Sequence, residues 1–312
     1  MRKVAFILLL LLCACAQRPS APAVRPFPEV RPPAMLEMNE AMEYMASHFW
    51  DAFLDTSGRW LCDSTHIAGV DAEKVEEKVG LYVTMLGQIP LLSSQKGIMD
   101  VFFRLQNYQK ADTLSNAFES LTGLISRYLY DPNSPVRDED IYAPFVALMS
   151  ISPFIPESRR RGYQYDAQMC FLNAAGTPAA DFSFTDVHGR RQTLYGIKAP
   201  YTVLFFSNPG CNACKEIIEV LDTEPLASIV RQGKVAVVNI YIDEDLNAWR
   251  SYIPVYPPYW HTGYDQDYAI RTNVLYNVRA IPSLYLLARD KTVILKDATT
   301  DRLLNTLERL LQ

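Results

Sequence analysis

Two cysteines, Cys211 and Cys214, are separated by only two residues. In a helix this spacing places the second sulfur about one turn beyond the first, so the pair can close a small disulfide and reopen it. Two cysteines at this spacing are also half of a zinc site, but the sequence contains no second Cys-x-x-Cys and no His pair at ligand spacing. The pattern therefore favours thiol-disulfide chemistry over metal binding.

A predicted strand precedes the cysteine pair and a predicted helix follows it. Residues 201–206 are apolar, β-branched or aromatic, which is typical of a buried central strand. Behind the pair, apolar side chains recur at helical spacing at Ile217, Ile218, Val220 and Leu221. Cys211 is therefore expected at a helix N-terminus, where free N–H groups and the helix dipole favour a thiolate, and Lys215 adds a nearby cation.

Three motifs between residues 176 and 311 occur in the order found in the thioredoxin superfamily. They are residues 176–182 (GTPAADF), Phe205-Phe206 ahead of the cysteines, and residues 280–285 (AIPSLY). The chain most resembles the membrane-tethered bacterial thiol-disulfide oxidoreductases of the TlpA and ResA type. The resemblance implies that Cys211 and Cys214 are the catalytic pair. It also implies that Ile281 and Pro282 form a substrate-binding loop whose cis proline faces the disulfide.

The periodicity of residues 176–312 agrees with an α/β thioredoxin-like domain, a central mixed sheet with helices on both faces. It predicts a hairpin over 181–185 and 191–194, a buried strand over 235–242, a helix from 243, a hairpin over 284–287 and 293–295, and a closing helix with Leu303, Leu304, Leu307 and Leu310 on one face. Residues 252–278 are an aromatic insert, which either lines a partner-binding groove or packs against the sheet.

One position departs from thioredoxin itself, which carries a buried aspartate on the strand before its active site. Phe205 occupies the matching position here. The proton acceptor for Cys214 must then come from elsewhere, and Glu216 or water are the candidates.

The N-terminus resembles a bacterial lipoprotein signal. Arg2 and Lys3 precede an apolar run over residues 4–12, and residues 12–15 (LCAC) resemble a lipobox. This predicts a signal peptide over residues 1–14 and lipid attachment at Cys15, the alternative being a secreted protein cleaved further on. Residues 15–34 are proline-rich and predict an extended tether. The expected location is facing the periplasm, anchored to the inner or outer membrane.

Residues 35–175 show helical periodicity and predict an all-α domain of about six helices. One predicted stripe is Val75, Val79, Tyr82, Val83 and Leu86, and another runs from Leu114 through Phe118 and Leu121. The segment resembles the helical domain that precedes a thioredoxin-like domain in many Bacteroidetes lipoproteins. Cys62 and Cys170 are left without a role, and form either a structural disulfide or two buried free thiols.

Composition agrees with a folded protein that has two well-packed cores. Hydrophobic residues make up 49% of the chain, and the formal net charge of −5 is too small and of the wrong sign to indicate nucleic-acid binding. No metal and no cofactor is expected. The predicted function is that of a membrane-tethered thiol-disulfide oxidoreductase that receives electrons from a membrane thiol donor. Reducing and oxidising members of the superfamily share this fold, and Ile281 before Pro282 resembles the members that reduce protein disulfides.

Two other functions compete with this prediction. A thiol peroxidase of the peroxiredoxin type would carry a proline at the position of Leu204, so Leu204 argues against that function. In a ligand- or partner-binding lipoprotein the redox pair would be secondary, and the intact Cys211, Cys214 and Pro282 argue against that interpretation.

Overall fold

The computed structural model describes residues 22–312 of the chain. The predicted signal peptide, Cys15 and the first part of the predicted tether lie outside the described residues. Within residues 22–312 no helix combines the length and the apolar character needed to cross a membrane.

Six helices form the N-terminal part, as the sequence predicts. They are α1 (Met38–His48), α2 (Ala72–Leu86), α3 (Leu91–Ala111), α4 (Ala117–Tyr130), α5 (Glu139–Ile151) and α6 (Glu157–Phe171). The predicted apolar stripe of α2 is buried, and Asp71 caps this helix by accepting hydrogen bonds from the backbone N–H groups of Glu73 and Lys74. A small hairpin of β1 (His66–Ile67) and β2 (Val70–Asp71) departs from the all-α prediction.

The second half of the predicted tether packs on the helical domain. Arg25 lies over the ring of Trp60 at 3.9 Å and donates hydrogen bonds to the backbone carbonyls of Ala68 and Phe53. Phe27 stacks on Phe53 with ring centroids 5.2 Å apart. The prolines of the tether do not prevent this packing, because Arg25 gains a cation–π contact with Trp60 and Phe27 joins an aromatic cluster.

A seven-stranded mixed sheet forms the core of the C-terminal domain. Its strands are β3 (Ser183–Asp186), β4 (Arg191–Thr193), β5 (Tyr201–Phe206), β6 (Val235–Tyr241), β7 (His261–Tyr264), β8 (Ser283–Ala288) and β9 (Val293–Leu295). The spatial order is β4-β3-β7-β6-β5-β8-β9. Strand β5 pairs in parallel with β6 and antiparallel with β8, so the strand before the cysteines is central.

Helices cover both faces of this sheet, which confirms the predicted α/β fold. They are α7 (Asn212–Leu221), α8 (Leu226–Arg231), α9 (Leu246–Tyr252), α10 (Ala269–Thr272) and α11 (Thr300–Leu311), with a 3₁₀ turn over Ile253–Val255. Successive side chains of a strand point to opposite faces. Phe205 accordingly packs in the core that contains Cys214, whereas Phe206 packs in the core on the other face.

Strand β7 was not predicted, and it comes from the aromatic insert. It lies between β3 and β6 and joins them into one sheet. A Cβ atom on Gly263 would lie 2.6 Å from the carbonyl oxygen of Thr185, so the close pairing of β7 with β3 requires glycine here. Tyr256, Trp260 and Tyr276 are buried, so these aromatics of the insert pack against the sheet.

Buried charges join the helical domain to the C-terminal domain. Lys296 Nζ lies 2.9 Å from Glu139 Oε2 and donates to the carbonyl oxygens of Met169, Cys170 and Leu172. Arg279 Nε donates to Glu139 Oε1 at 2.9 Å. Buried charges are tolerated only when they are paired and hydrogen-bonded, and these groups meet that condition only when the two domains are in contact.

Candidate active site

Cys211 is the N-cap residue of α7. Its sulfur accepts a hydrogen bond from the backbone N–H of Cys214, with 3.2 Å between N and Sγ. An N-cap group that accepts from the first turn also lies at the positive end of the helix dipole, which stabilises negative charge on a reacting sulfur. Cys211 is half-buried, which leaves its sulfur open to a partner.

Cys214 lies one turn further along α7 and is completely buried. Burial raises the pKa of its thiol to about 12, and the hydrogen bond with Cys211 adds to this effect, although a backbone hydrogen bond from Asn208 opposes it. Cys214 is therefore a protonated thiol at neutral pH. The two cysteines are chemically unequal, with a half-exposed nucleophile in front of a buried, protonated thiol.

The loop between β5 and α7 holds Cys211 in place. The side-chain amide of Asn208 donates to Asp243, which also forms an ion pair with Arg271. Gly210, directly before Cys211, has φ of +75°, in the left-handed region that non-glycine residues rarely adopt. The glycine allows the chain to turn from the strand into the helix and to present the sulfur at the helix end.

Two charged residues, Lys215 and Glu216, lie on α7 near the pair. Lys215 Nζ lies 3.8 Å from Glu219 Oε1, so its charge is partly compensated by the next turn of the helix. Glu216 is exposed and follows Cys214 by two positions. Residues two apart in a helix do not face each other, so Glu216 is not placed to accept the proton of Cys214.

A buried polar cluster beneath the pair escaped sequence analysis. Ser207 Oγ donates to Asn239 Oδ1 at 2.6 Å and lies 3.2 Å from the hydroxyl of Tyr256. Burial raises the pKa of Tyr256, and the charge of Cys214 contributes to the same shift, so the two groups are in electrostatic range. Asn239 lies on β6 directly opposite Phe205 of β5. The sequence signal that could have revealed this cluster is Asn239, a polar residue within an otherwise apolar strand.

Ile281 and Pro282 immediately precede β8 and are joined by a cis peptide bond. They line the same groove as Ala213, one of the two residues between the cysteines. After Pro282, Ser283 Oγ donates to Asp297 Oδ1 at 2.7 Å. The structure thus brings the predicted proline loop and the helix that carries the cysteine pair to one groove, which neither cysteine lines.

The helical domain contacts the chain on both sides of this proline loop. Before it, Arg279 lies over the ring of Tyr130 at 3.9 Å and binds Glu139. After it, Arg137 forms an ion pair with Asp297, with Arg137 Nε 3.5 Å from Asp297 Oδ2. Burial alone would lower the pKa of Arg279, but Glu139 and Asp297 raise it, so the arginine stays charged. The loop is held by two arginine contacts between the domains.

The other two cysteines among residues 22–312 do not form the hypothesised bridge. Cys62 is free and lies 3.6 Å from the hydroxyl of Ser115, near the start of α4. Cys170 is free and buried near the end of α6, where burial raises the pKa of its thiol. Of the two alternatives from the sequence, the structure has free thiols, although Cys62 is only half-buried. Within residues 22–312 no group of three His, Cys, Asp or Glu side chains is arranged to hold a metal ion.

Comparison with known proteins identifies two family models along the chain. A model described as thioredoxin-like matches residues 200–293, and a model described as a domain of unknown function (DUF5106) matches residues 16–170. No curated protein matches the chain.

Among solved structures, a thioredoxin-like protein from Bacteroides caccae is 34% identical, with a TM-score of 0.77, over 91% of this chain and 97% of that one. The C-terminal domain of an uncharacterised protein from Bacteroides fragilis is 42% identical over 44% of this chain and 99% of that one, with a TM-score of 0.43. The thioredoxin domain of a thiol-disulfide oxidoreductase from Bacteroides vulgatus is 21% identical over 45% of this chain and 99% of that one, with a TM-score of 0.40.

Proposed function

Because the chain belongs to the family of thioredoxin-like proteins, we propose that it is a thiol-disulfide oxidoreductase that reduces disulfides in partner proteins. The observation that carries this proposal is the inequality of its two cysteines. Cys211 caps a helix and is half-buried, and Cys214 is completely buried one turn behind it. This arrangement suits a nucleophile followed by a resolving thiol.

The first step forms one bond and breaks one bond. The thiolate of Cys211 attacks a partner disulfide, so a Cys211–partner disulfide forms and the partner's second sulfur leaves as a thiolate that takes a proton from water. No net oxidation has occurred, because one disulfide has replaced another.

The second step transfers the disulfide to this chain. Cys214 loses its proton and attacks the sulfur of Cys211, which releases the partner's first cysteine as a thiol. The partner has then gained two electrons and two protons, and Cys211 and Cys214 share a disulfide. A dithiol donor must reduce that disulfide before the next cycle, and we place this donor in the membrane.

Single replacements of the two cysteines test this function. Cys211→Ala should abolish disulfide reduction, because Cys214 is buried and its pKa of about 12 leaves little thiolate at neutral pH. Cys214→Ala should keep the attack but lose resolution, so partners accumulate as mixed disulfides on non-reducing gels. Full activity in either single variant would contradict the proposed roles.

We also propose that the protein faces the periplasm on a lipid anchor at Cys15. The support is the lipobox-like residues 12–15 behind a basic and apolar leader. Cys15→Ser should move the protein from the membrane fraction to the soluble fraction, since the following segment is too polar to bind a bilayer. Unchanged fractionation of Cys15→Ser would rule out the anchor and leave the redox function untouched.

A further inference from the structure

A groove of about 500 Å³ lies beside the cysteine pair, between the two domains. One side is a single face of α7, since Ala213, Glu216, Ile217 and Val220 follow one another at helical spacing. The proline loop, residues 280–282, and the start of α11 form further sides. The last side comes from the helical domain, as residues 132–137 of the loop between α4 and α5.

This helical-domain loop is fixed against the C-terminal domain. Arg137 donates hydrogen bonds to the carbonyl oxygens of Asp297 and Ala298 at 3.1 and 3.3 Å. On the other side of the turn, Ser134 Oγ donates to the carbonyl oxygen of Tyr128 at 2.5 Å. A loop held at both ends can form a lasting wall of a binding site, because little conformational freedom remains to be lost on binding.

The uncompensated charge of the groove is negative. The one arginine on its wall, Arg137, is paired with Asp297. Glu216 of α7 and Asp301 in the first turn of α11 are both exposed, and neither has an ion-pair partner among residues 22–312. A cationic side chain that enters the groove could therefore pair with Glu216 or Asp301, because neither carboxylate would have to break an existing ion pair first.

We infer that this groove binds the part of a partner protein next to its disulfide, and that it selects a lysine or arginine close to the reacting cysteine. The inference rests on the thiol-disulfide exchange proposed above and adds a partner class to it. The helical domain then acts in partner choice, because its 132–137 loop forms one side of the groove.

Two matched peptides test the selection. Each carries one cysteine in a mixed disulfide with glutathione, and they differ only in having lysine or glutamine two residues from that cysteine. The measurement is the second-order rate constant for reaction with the pre-reduced protein. The wild type should react about fivefold faster with the lysine peptide, a ratio that exposed charge pairs supply. The ratio should fall towards one at 1 M salt because the charges are screened.

Charge variants locate the selecting residues. The double variant Glu216→Gln/Asp301→Asn should bring the ratio of the two rate constants close to one. Glu308→Gln is the matched control, since it removes an exposed carboxylate near the far end of α11, outside the groove, and it should keep the wild-type ratio. An unchanged ratio in the double variant, or a ratio of one in the wild type, would overturn the inference.

A second pair of variants tests the role of the helical domain. Asn133 is exposed on the wall, and Asn133→Lys should lower the ratio about twofold or more by repelling the cationic peptide. Leu114→Lys adds the same charge at the opposite end of α4, about 20 Å along the helix, and should leave the ratio unchanged. If Asn133→Lys behaves like Leu114→Lys, the helical domain takes no part in selection.

One further probe separates failure of this inference from failure of the proposed function. Hydroxyethyl disulfide is uncharged and carries no peptide. Reaction of the reduced wild type with hydroxyethyl disulfide, together with a peptide ratio of one, would refute only the selection. Absence of reaction with every disulfide would refute the oxidoreductase function, and the inference with it.

Discussion

Lys296 and Glu139 form a 2.9 Å ion pair in which the two side chains are 0% and 1% exposed. One residue belongs to the C-terminal domain and the other begins α5 of the helical domain. Loss of Lys296 would leave Glu139 with Arg279 as its remaining cation, and breaking a buried pair by removing one partner costs about 3–5 kcal/mol of unfolding free energy. Lys296 also donates to three carbonyl groups at the end of α6, so the pair supports the contact between the domains.

Lys296→Met is therefore expected to lower the unfolding free energy by about 3–5 kcal/mol, measured by denaturant titration. Lys96→Met is the matched control, because Lys96 pairs with Asp100 on an exposed face of α3 and its loss should have little effect. Equal effects of the two variants would show that the buried pair does not stabilise the folded chain.

Asp140, next to Glu139, should make stability depend on pH. Burial raises the pKa of this carboxyl from its ordinary 3.8 to about 6. The folded chain then holds the proton more tightly than the unfolded chain, so the contribution of Asp140 to stability is present below pH 4 and lost as the pH rises through 6. Between pH 4 and pH 7 the unfolding free energy of the wild type should fall by about 2–3 kcal/mol relative to that of Asp140→Asn.

Asp140→Asn keeps an oxygen that can accept the hydrogen bond from the backbone N–H of Ala175. Asp63 supplies the control, because hydrogen bonds from Thr65 lower the pKa of its carboxyl to about 2. The stability difference between the wild type and Asp63→Asn should therefore stay nearly constant from pH 4 to pH 7. A constant difference for Asp140→Asn as well would contradict the raised pKa.

Gly210→Ala should change both stability and reactivity. No atom lies within 4 Å of the position of an added Cβ, so the cost of about 1 kcal/mol comes from the positive φ alone. Relaxation of this residue would shift Cys211 from the N-cap position, and the reaction of its thiolate should slow. Thiol alkylation rates at pH 7 measure this change.

Gly233→Ala is a close control for that experiment. Gly233 has φ of +74° and equally open surroundings, but it lies in the turn before β6. The two variants should lose similar stability, and only Gly210→Ala should alter the alkylation rate of Cys211. A similar rate change in both would mean that the turn at Gly210 has no specific role.

Tyr256→Phe tests the buried cluster beneath the cysteines. If Ser207, Asn239 and Tyr256 assist the departure of the Cys214 proton, loss of the Tyr256 hydroxyl should slow resolution of the mixed disulfide by about tenfold or more. Tyr264→Phe is the control, since Tyr264 lies on β7 against Trp249 and its hydroxyl forms no hydrogen bond within residues 22–312. The decay of a preformed mixed disulfide gives the rate of resolution. Equal rates in both variants would show that the cluster does not assist resolution.

Local patterns predicted most of the fold. The stripe of α2 and the flanks of the cysteine pair follow from periodicity and from capping, which act within a few residues. Leu114 shows where periodicity is insufficient, because it continues an apolar stripe but is 89% exposed. Its N–H bonds to Asp112 Oδ1 in a local turn, and α4 begins only at Ala117.

Contacts between distant residues could not be predicted. Strand β7 has four residues and gains its place by pairing with two strands from other parts of the chain. The contacts of Arg279 and Lys296 with the helical domain join residues more than 120 positions apart. Nothing in the local sequence marks such a partner, so the groove wall supplied by the helical domain became visible only in the structure.

The position of Lys296 near the end of the chain has a consequence during synthesis. Ribosomes release the chain from its N-terminus, so α1 to α6 emerge long before Arg279 and Lys296, the two cations that pair with Glu139. Until then, the nascent helical domain carries a carboxylate whose final place in the interior is unfavourable without these cations. A chain that stops before residue 279 lacks both of them, and we expect it to resist proteolysis less well than the longer chain.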